Sequence, residues 1–397
     1  MAQVCRIVTL SLTTASLIAN SFAGLAPSIC TEAALSLTAP NVTVVSVDHR
    51  SRHEVIPLPN TVESCGGPNF KANATNDFCR VVVNVSTSDS SSVRIEGWLP
   101  DEWNGRFLAT GTGGEGGCID YEQVQNGAQL GFASFGTNAG HDGATGFDFF
   151  LGHPEVINDF GHRAVHFEAE VGKQIVAQYY GRFADTSYYQ GCSTGGRQGL
   201  QNAQLYPGDF DGVVVGSPGI DWLHIVSSKG ILARRIGWPN INSSAYVRPE
   251  QWPAIVAKHI ELLDPLDGVS DGVIDDPTKH NFDPALLACG TGLLNSSLCL
   301  APQQISSVRA AYQPLADSEG RIVYPSFDLG ANTDVFSDNQ EDGVAQLAYT
   351  ILQVIPKRSF NALSFLIIHL GINVKILRTS GVELSTTTRT GLRTTSA

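Results

Sequence analysis

Basic residues are the scarce charged class: 25 Lys and Arg stand against 38 Asp and Glu in 397 residues, a formal net charge of −13. Such a balance repels phosphate backbones and anionic headgroups, so nucleic acid and acidic membrane surfaces are excluded as partners. Charged residues of both signs make up only 16% against 42% hydrophobic, which rules out disorder and coiled coil. No fixed-period repeat is present, and solenoids and propellers go with it. Long apolar runs are missing too. The best, 360–377, is interrupted by Asn361, His369, Asn373 and Lys375, each costly in hydrocarbon. What is left is a soluble, loop-rich globular protein with 40 Gly and 19 Pro. Its length suits two or three domains, or one large domain with an insertion.

Residues 1–23 carry a single cation, Arg6, then a weakly polar run, and close on Ser21, Phe22 and Ala23. This reads as a secretory signal whose removal leaves Gly24 first; the competing reading is a buried N-terminal helix. Sequons at Asn41, Asn73, Asn84, Asn242 and Asn295 agree with export to the extracellular space. Of the eight cysteines, Cys5 would leave with the signal. The remaining seven are an odd count that an oxidising compartment does not explain by itself.

From residue 80 the pattern alternates. Strands are expected at 80–85, 93–98, 106–110, 131–136, 186–190 and 212–216. A helix fits 159–180, with apolar Val165, Ala169, Ile175, Val176 and Tyr179 and a stop at Gly181; a second fits 197–206. Strand, glycine turn, helix and strand make a βαβ unit, so the class is α/β with a parallel sheet covered on both faces. Residues 24–220 are read as the core. Residues 221–353, dense in Trp, Pro, Asn and Ser, read as an inserted lid domain, and 354–397 as a basic Ser/Thr tail without caps.

The strongest chemical signal is Gly191-Cys192-Ser193-Thr194-Gly195 between an expected strand and an expected helix. A hydroxyl displayed on so tight a turn needs a strained backbone and flanking residues without Cβ, which makes Ser193 the candidate nucleophile; the alternative is an ordinary glycine-rich turn. The oxyanion formed on attack needs backbone N–H donors. Thr194 supplies one, and Gly113 or Gly114 in the loop 111–117 a second, unless that loop is mere surface. A serine also needs a base, in the chain order Ser, then Asp or Glu, then His. Downstream histidines are His224, His259, His280 and His369, and each reads as structural. His141, His153, His162 and His166 stand upstream, in the wrong order.

At these residues the sequence resembles the tannase and feruloyl esterase family of secreted serine esterases. The likeness is carried by Trp103-Asn104-Gly105-Arg106-Phe107, the loop 111–117, Gly140-His141, the stretches 151–154 and 159–166, Tyr180-Gly181, and 191–199, across roughly 28–350. It implies an α/β-hydrolase core with a large lid, and cleavage of esters of aromatic acids, hydroxycinnamic or gallic, including plant cell-wall polyphenols. Members carry a Cys beside the catalytic Ser, bonded to a Cys directly after the catalytic His. This chain has no His-Cys pair, and the resemblance implies that the Asp and His of the triad belong to a segment that the tail replaces. The core is then incomplete at its C-terminus, and a catalytically inactive homologue stands as the alternative to an esterase. By the same resemblance Cys30 pairs with Cys79, Cys65 with Cys118 and Cys289 with Cys299, leaving Cys192 unpaired.

One more feature is the run 264–273, where carboxylates and turn glycines could wrap a hard cation in oxygen ligands or form plain Asx turns. The resemblance implies structural calcium on Asp264, Asp267 and Asp271 with the carbonyls of Val269 and Val273. A disulfide that commonly brackets this loop in the family falls here on Leu263 and His280.

Overall fold

The structure, a computed structural model, describes residues 30–32, 35, 41–144, 147–150, 152–238, 240–317 and 319–331. The expected signal, Cys5, His369 and the tail lie outside them. The chain enters on β1 (Val42–Arg50), passes a ribbon of β2 (Val55–Pro57) and β3 (Lys71–Asn73), and returns as β4 (Phe78–Ser88) and β5 (Ser91–Pro100). Next come β6 (Arg106–Thr110), α1 (Tyr121–Gln129) and β7 (Ala133–Thr137). Short α2 (Phe147–Phe150) and α3 (Pro154–Asn158) lead through a π turn, Asp159–Arg163, into α4 (Ala164–Tyr180). Then follow β8 (Thr186–Cys192), α5 (Thr194–Leu205) and β9 (Gly212–Gly216).

These strands form one seven-stranded sheet in the order β1-β4-β5-β7-β6-β8-β9. The expectation of a parallel sheet holds for β7, β6, β8 and β9 only; β1, β4, β5 and β7 are antiparallel. The physical reason is the connection. Two residues, Asp89 and Ser90, join β4 to β5, and a link that short can only turn a strand back, whereas parallel neighbours need a crossover.

Both faces of the sheet are covered. On one, Phe107, Phe135, Ile95 and Val83 pack with Val165, Ile175 and Val176 of α4. Gly172 lets that helix sit close, since a Cβ there would stand 2.7 Å from the Phe107 ring. On the other, Val124 and Ala128 of α1 join Ile56, Phe78 and Trp98, the last two stacked at 4.3 Å. Asp120 caps α1 by accepting the Gln123 N–H. All five apolar positions assigned to the long helix from its period are buried, and Gly181, with φ 70°, ends it. Each fully buried side chain of this size contributes about 1.5–3 kcal/mol.

After β9 come α6 (Trp222–Arg235), α7 (Gln251–Leu263), α8 (Pro302–Ala311) and a small hairpin, β10 (Leu315–Ala316) with β11 (Ile322–Tyr324). Leu232, Val247, Trp252, Ile255, Leu287 and Val308 make a second hydrophobic cluster here. No described helix is long and apolar enough to cross a membrane.

Three disulfides join Cys30 to Cys79, Cys65 to Cys118 and Cys289 to Cys299, as suits an oxidising compartment. Cys192 is disulfide-bonded as well, so the unpaired thiol expected there is corrected.

Candidate active site

Ser193 stands alone between the last residue of β8 and the first of α5, at φ 57° and ψ −115°. A non-glycine residue with positive φ is strained, and such strain persists only where the surroundings impose it. Here they do. The Ser193 N–H donates to the Gly216 carbonyl over 2.9 Å, and the Ser193 carbonyl accepts the N–H groups of Arg197 at 3.0 Å and Gly219 at 3.2 Å. The residue itself is exposed.

The flanking glycines are required by contact. A Cβ on Gly191 would lie 2.6 Å from the carbonyl of Gly195, and one on Gly196 would lie 2.6 Å from the Gly216 oxygen and 2.9 Å from Pro218 Cα. All of these are backbone atoms that cannot step aside. α5 therefore begins at Thr194, three residues earlier than its sequence period suggests.

The loop 111–117 lies against this turn. Thr112 donates its N–H to Oε1 of the buried Gln198 over 3.0 Å, Gly111 donates to the Gln190 carbonyl over 3.0 Å, and a Cβ on Gly195 would stand 3.0 Å from the Thr112 carbonyl. Gly113 and Gly114 form the exposed rim, where a Cβ on Gly113 would meet nothing within 4 Å. Behind the rim the loop is pinned. His141, packed among Phe149, Phe150 and Phe160, donates through Nε2 to the Glu115 carbonyl over 2.6 Å, and burial holds its ring below the ordinary imidazole range. The Cys65–Cys118 bond closes the loop's far end.

Several ionisable groups near the turn were not legible in the sequence as site residues. Arg197 donates to the carbonyls of Phe160 and Gly161, both at 3.0 Å, and lies over the Phe160 and Trp222 rings at 4.8 and 5.7 Å. Burial lowers its pKa to about 10. The buried Glu115 carboxyl is pushed up to about 7 by burial, with Lys229 and Arg197 pulling the other way. Glu168, fully buried in α4, accepts the Thr110 N–H over 3.1 Å, and burial raises its pKa, favouring the neutral form.

Among the described residues no histidine ring bonds to Ser193. His162 meets the Tyr206 hydroxyl at 2.7 Å, and His166 meets Asp209 at 2.9 Å, both at the far end of α5. His259 is buried against Phe282 and Tyr312, and that burial pulls it down to about 4. The His224 side chain lies outside the described residues.

In the acidic loop, Asp264 Oδ1 accepts the N–H groups of Asp271, Gly272 and Val273, each at 3.2 Å; Asp267 accepts from Val269 at 2.8 Å and Asp271 from Val273 at 3.1 Å. Each carboxylate keeps a second oxygen, so the donor set is all hard oxygen and its chemistry fits calcium. Among the described residues no three acidic, His or Cys side chains gather on one point as a metal cluster.

Comparison with known proteins gives a consistent result. A family model described as tannase and feruloyl esterase matches residues 79–395. A probable feruloyl esterase B-2 of Aspergillus flavus is 39% identical over 295 residues, covering 72% of this chain and 55% of that protein. A probable feruloyl esterase B of Aspergillus clavatus is 37% identical over 292 residues, 74% and 55% of the two chains. The chain thus spans about half the length of the curated relatives it matches. Among solved structures, feruloyl esterase B from Aspergillus oryzae aligns with a TM-score of 0.71 at 32% identity, over 85% of this chain and 67% of that one. Tannin acyl hydrolase from Aspergillus niger aligns at 0.59 with 21% identity, over 85% and 67%, and shows a shared fold.

Proposed function

The chain belongs to the tannase and feruloyl esterase family, and on that premise we propose that it is built for carboxylic ester hydrolysis through an acyl-enzyme on Ser193. The observation that carries this reading is the strained, exposed Ser193 backbone held between Gly216, Arg197 and Gly219. In the reaction the Ser193 oxygen bonds to the ester carbonyl carbon and gives its proton to a base. The oxyanion is received by the N–H of Thr194 and that of Gly113 or Gly114. Collapse expels the alcohol with a proton and leaves the acyl group on Ser193; water then releases the acid. The substrates we propose are esters of aromatic acids, hydroxycinnamic or gallic, in phenolic plant material. The place of action is extracellular.

A second reading is favoured by the histidines: none of those described bonds to Ser193, and His259, downstream, is locked in the second cluster. On this reading the chain is an inactive homologue lacking the triad's Asp and His. One experiment separates the two. Turnover of methyl ferulate by the full chain that disappears in Ser193→Ala supports the first; no turnover by the folded parent chain selects the second.

We also propose that Asp264, Asp267 and Asp271, with the carbonyls of Val269 and Val273, hold a structural calcium ion. No step of the hydrolysis passes through it.

A further inference from the structure

We propose that the cavity between α6 and the β10–β11 hairpin is a binding site for a monocyclic aromatic acid in its anionic form. The inference goes beyond the hydrolytic reading and does not depend on it: neither Ser193, Thr194 nor the glycine rim lines this cavity.

Size comes first. The cavity holds about 170 Å³, close to the roughly 150 Å³ of an engineered apolar cavity that accepts benzene. Its walls suit a ring, with Leu232 on α6, Leu315 on β10, Tyr324 on β11 and Phe327 after it. One planar six-membered ring fits such a space.

Charge decides the rest. Two cations of α6, Lys229 and Arg235, line the cavity, and among the described residues no carboxylate does. The Arg235 guanidinium is fixed by neutral acceptors, the carbonyls of Ala310 at 3.0 Å, Gln313 at 2.6 Å and Pro314 at 3.3 Å, and pairs with no carboxylate among the described residues. Lys229 is partly buried and feels the Glu115 carboxylate through space, without an ion-pair contact between them among the described residues. Burial takes water from the ammonium and, among the described residues, gives no contact anion in return. A carboxylate carried in on an aromatic ring supplies that partner while the ring covers the apolar wall. A neutral aromatic of the same shape leaves Lys229 facing hydrocarbon, so the site selects the acid over its amide or ester.

The test is calorimetric titration of the intact chain with benzoate and with benzamide, which share shape and differ in charge. Benzoate is expected to saturate one site and benzamide to bind at least tenfold more weakly. Lys229→Gln should erase that preference, and Leu232→Trp, which fills the cavity, should abolish binding of both. Thermal melts establish that each variant is folded; should Leu232→Trp fail to fold, Lys229→Gln decides alone. Equal affinity for the two probes, a benzoate affinity unchanged in Lys229→Gln, benzoate binding that survives in folded Leu232→Trp, or no saturable binding would each overturn the assignment. Binding is read without turnover, so the outcome stands apart from whether Ser193 hydrolyses anything.

Discussion

The Tyr189 hydroxyl donates to the Gly195 carbonyl over 2.7 Å, tying the strand before the nucleophile to the first turn of the helix after it. Tyr189 is fully buried, and burial raises its pKa well above the phenol range, so the donor is present at any working pH. Tyr189→Phe is expected to cost about 1 kcal/mol in urea unfolding. Gly196→Ala should cost more, about 1–3 kcal/mol, because its Cβ meets backbone on two sides. Equal midpoints for Gly196→Ala and the parent would show that the elbow is looser than its contacts indicate.

Glu168 offers a cleaner contrast. Since burial favours its neutral form, Glu168→Gln is the matching neutral replacement and should stay within about 1 kcal/mol of the parent. Glu168→Ala strands the Thr110 N–H, opens a void under β6, and should cost about 2–4 kcal/mol. Chemical denaturation at neutral pH reads both. A Gln variant as damaged as the Ala variant would mean that the buried group carries charge.

Stability should also depend on pH through Glu115. Its folded pKa of about 7 lies above the ordinary 4.5, so the folded chain binds more proton than the unfolded one between those values. The contribution is fully present below pH 4.5 and is lost as pH climbs towards 7. Glu115→Gln removes the loss, and relative to the parent it should gain stability across that window, by up to about 3 kcal/mol, then level off. His259 works in the opposite sense, favouring the fold above pH 6.5 and losing its contribution as pH falls towards 4. Comparing the Glu115 variant with its parent cancels that effect. Parallel stability curves for the two proteins would contradict the assignment.

For the acidic loop, excess chelator should lower the melting temperature by a few degrees, and added calcium should restore it. Asp267→Asn keeps an acceptor for the Val269 N–H but loses the charge, so this variant should melt low and ignore chelator. A parent melting curve unchanged by chelator would count against a bound ion.

Much of the core was readable because alternating and helical periods report burial directly, as Val165, Ile175 and Val176 do in α4. The glycine turn was readable for another reason: only residues without Cβ survive contacts of 2.6 Å. Other elements hide from pattern. The π turn at Asp159–Arg163 adds a residue to an otherwise continuous helix, and what steadies it is distant in sequence. Asp159 there takes hydroxyl donors from Thr87 and Ser91 as well as the Arg163 guanidinium. α1 has few apolar residues and starts on a cap rather than a hydrophobic stripe. Glu96 looks like a solvent-facing residue of an alternating strand, yet it is buried, taking two N–H groups from Arg80, the Trp98 ring N–H and the Tyr121 hydroxyl. Partners contributed by other strands and helices become visible only when the chain is folded.

The covalent link between Cys65 and Cys118 makes the production host a structural variable. A reducing cytosol would leave both sulfurs as thiols and cut the glycine rim loose at one end, besides opening the Cys30–Cys79 link to β4 of the sheet beneath it. Material recovered from such a host would be poorly organised at the one place where it is asked to act.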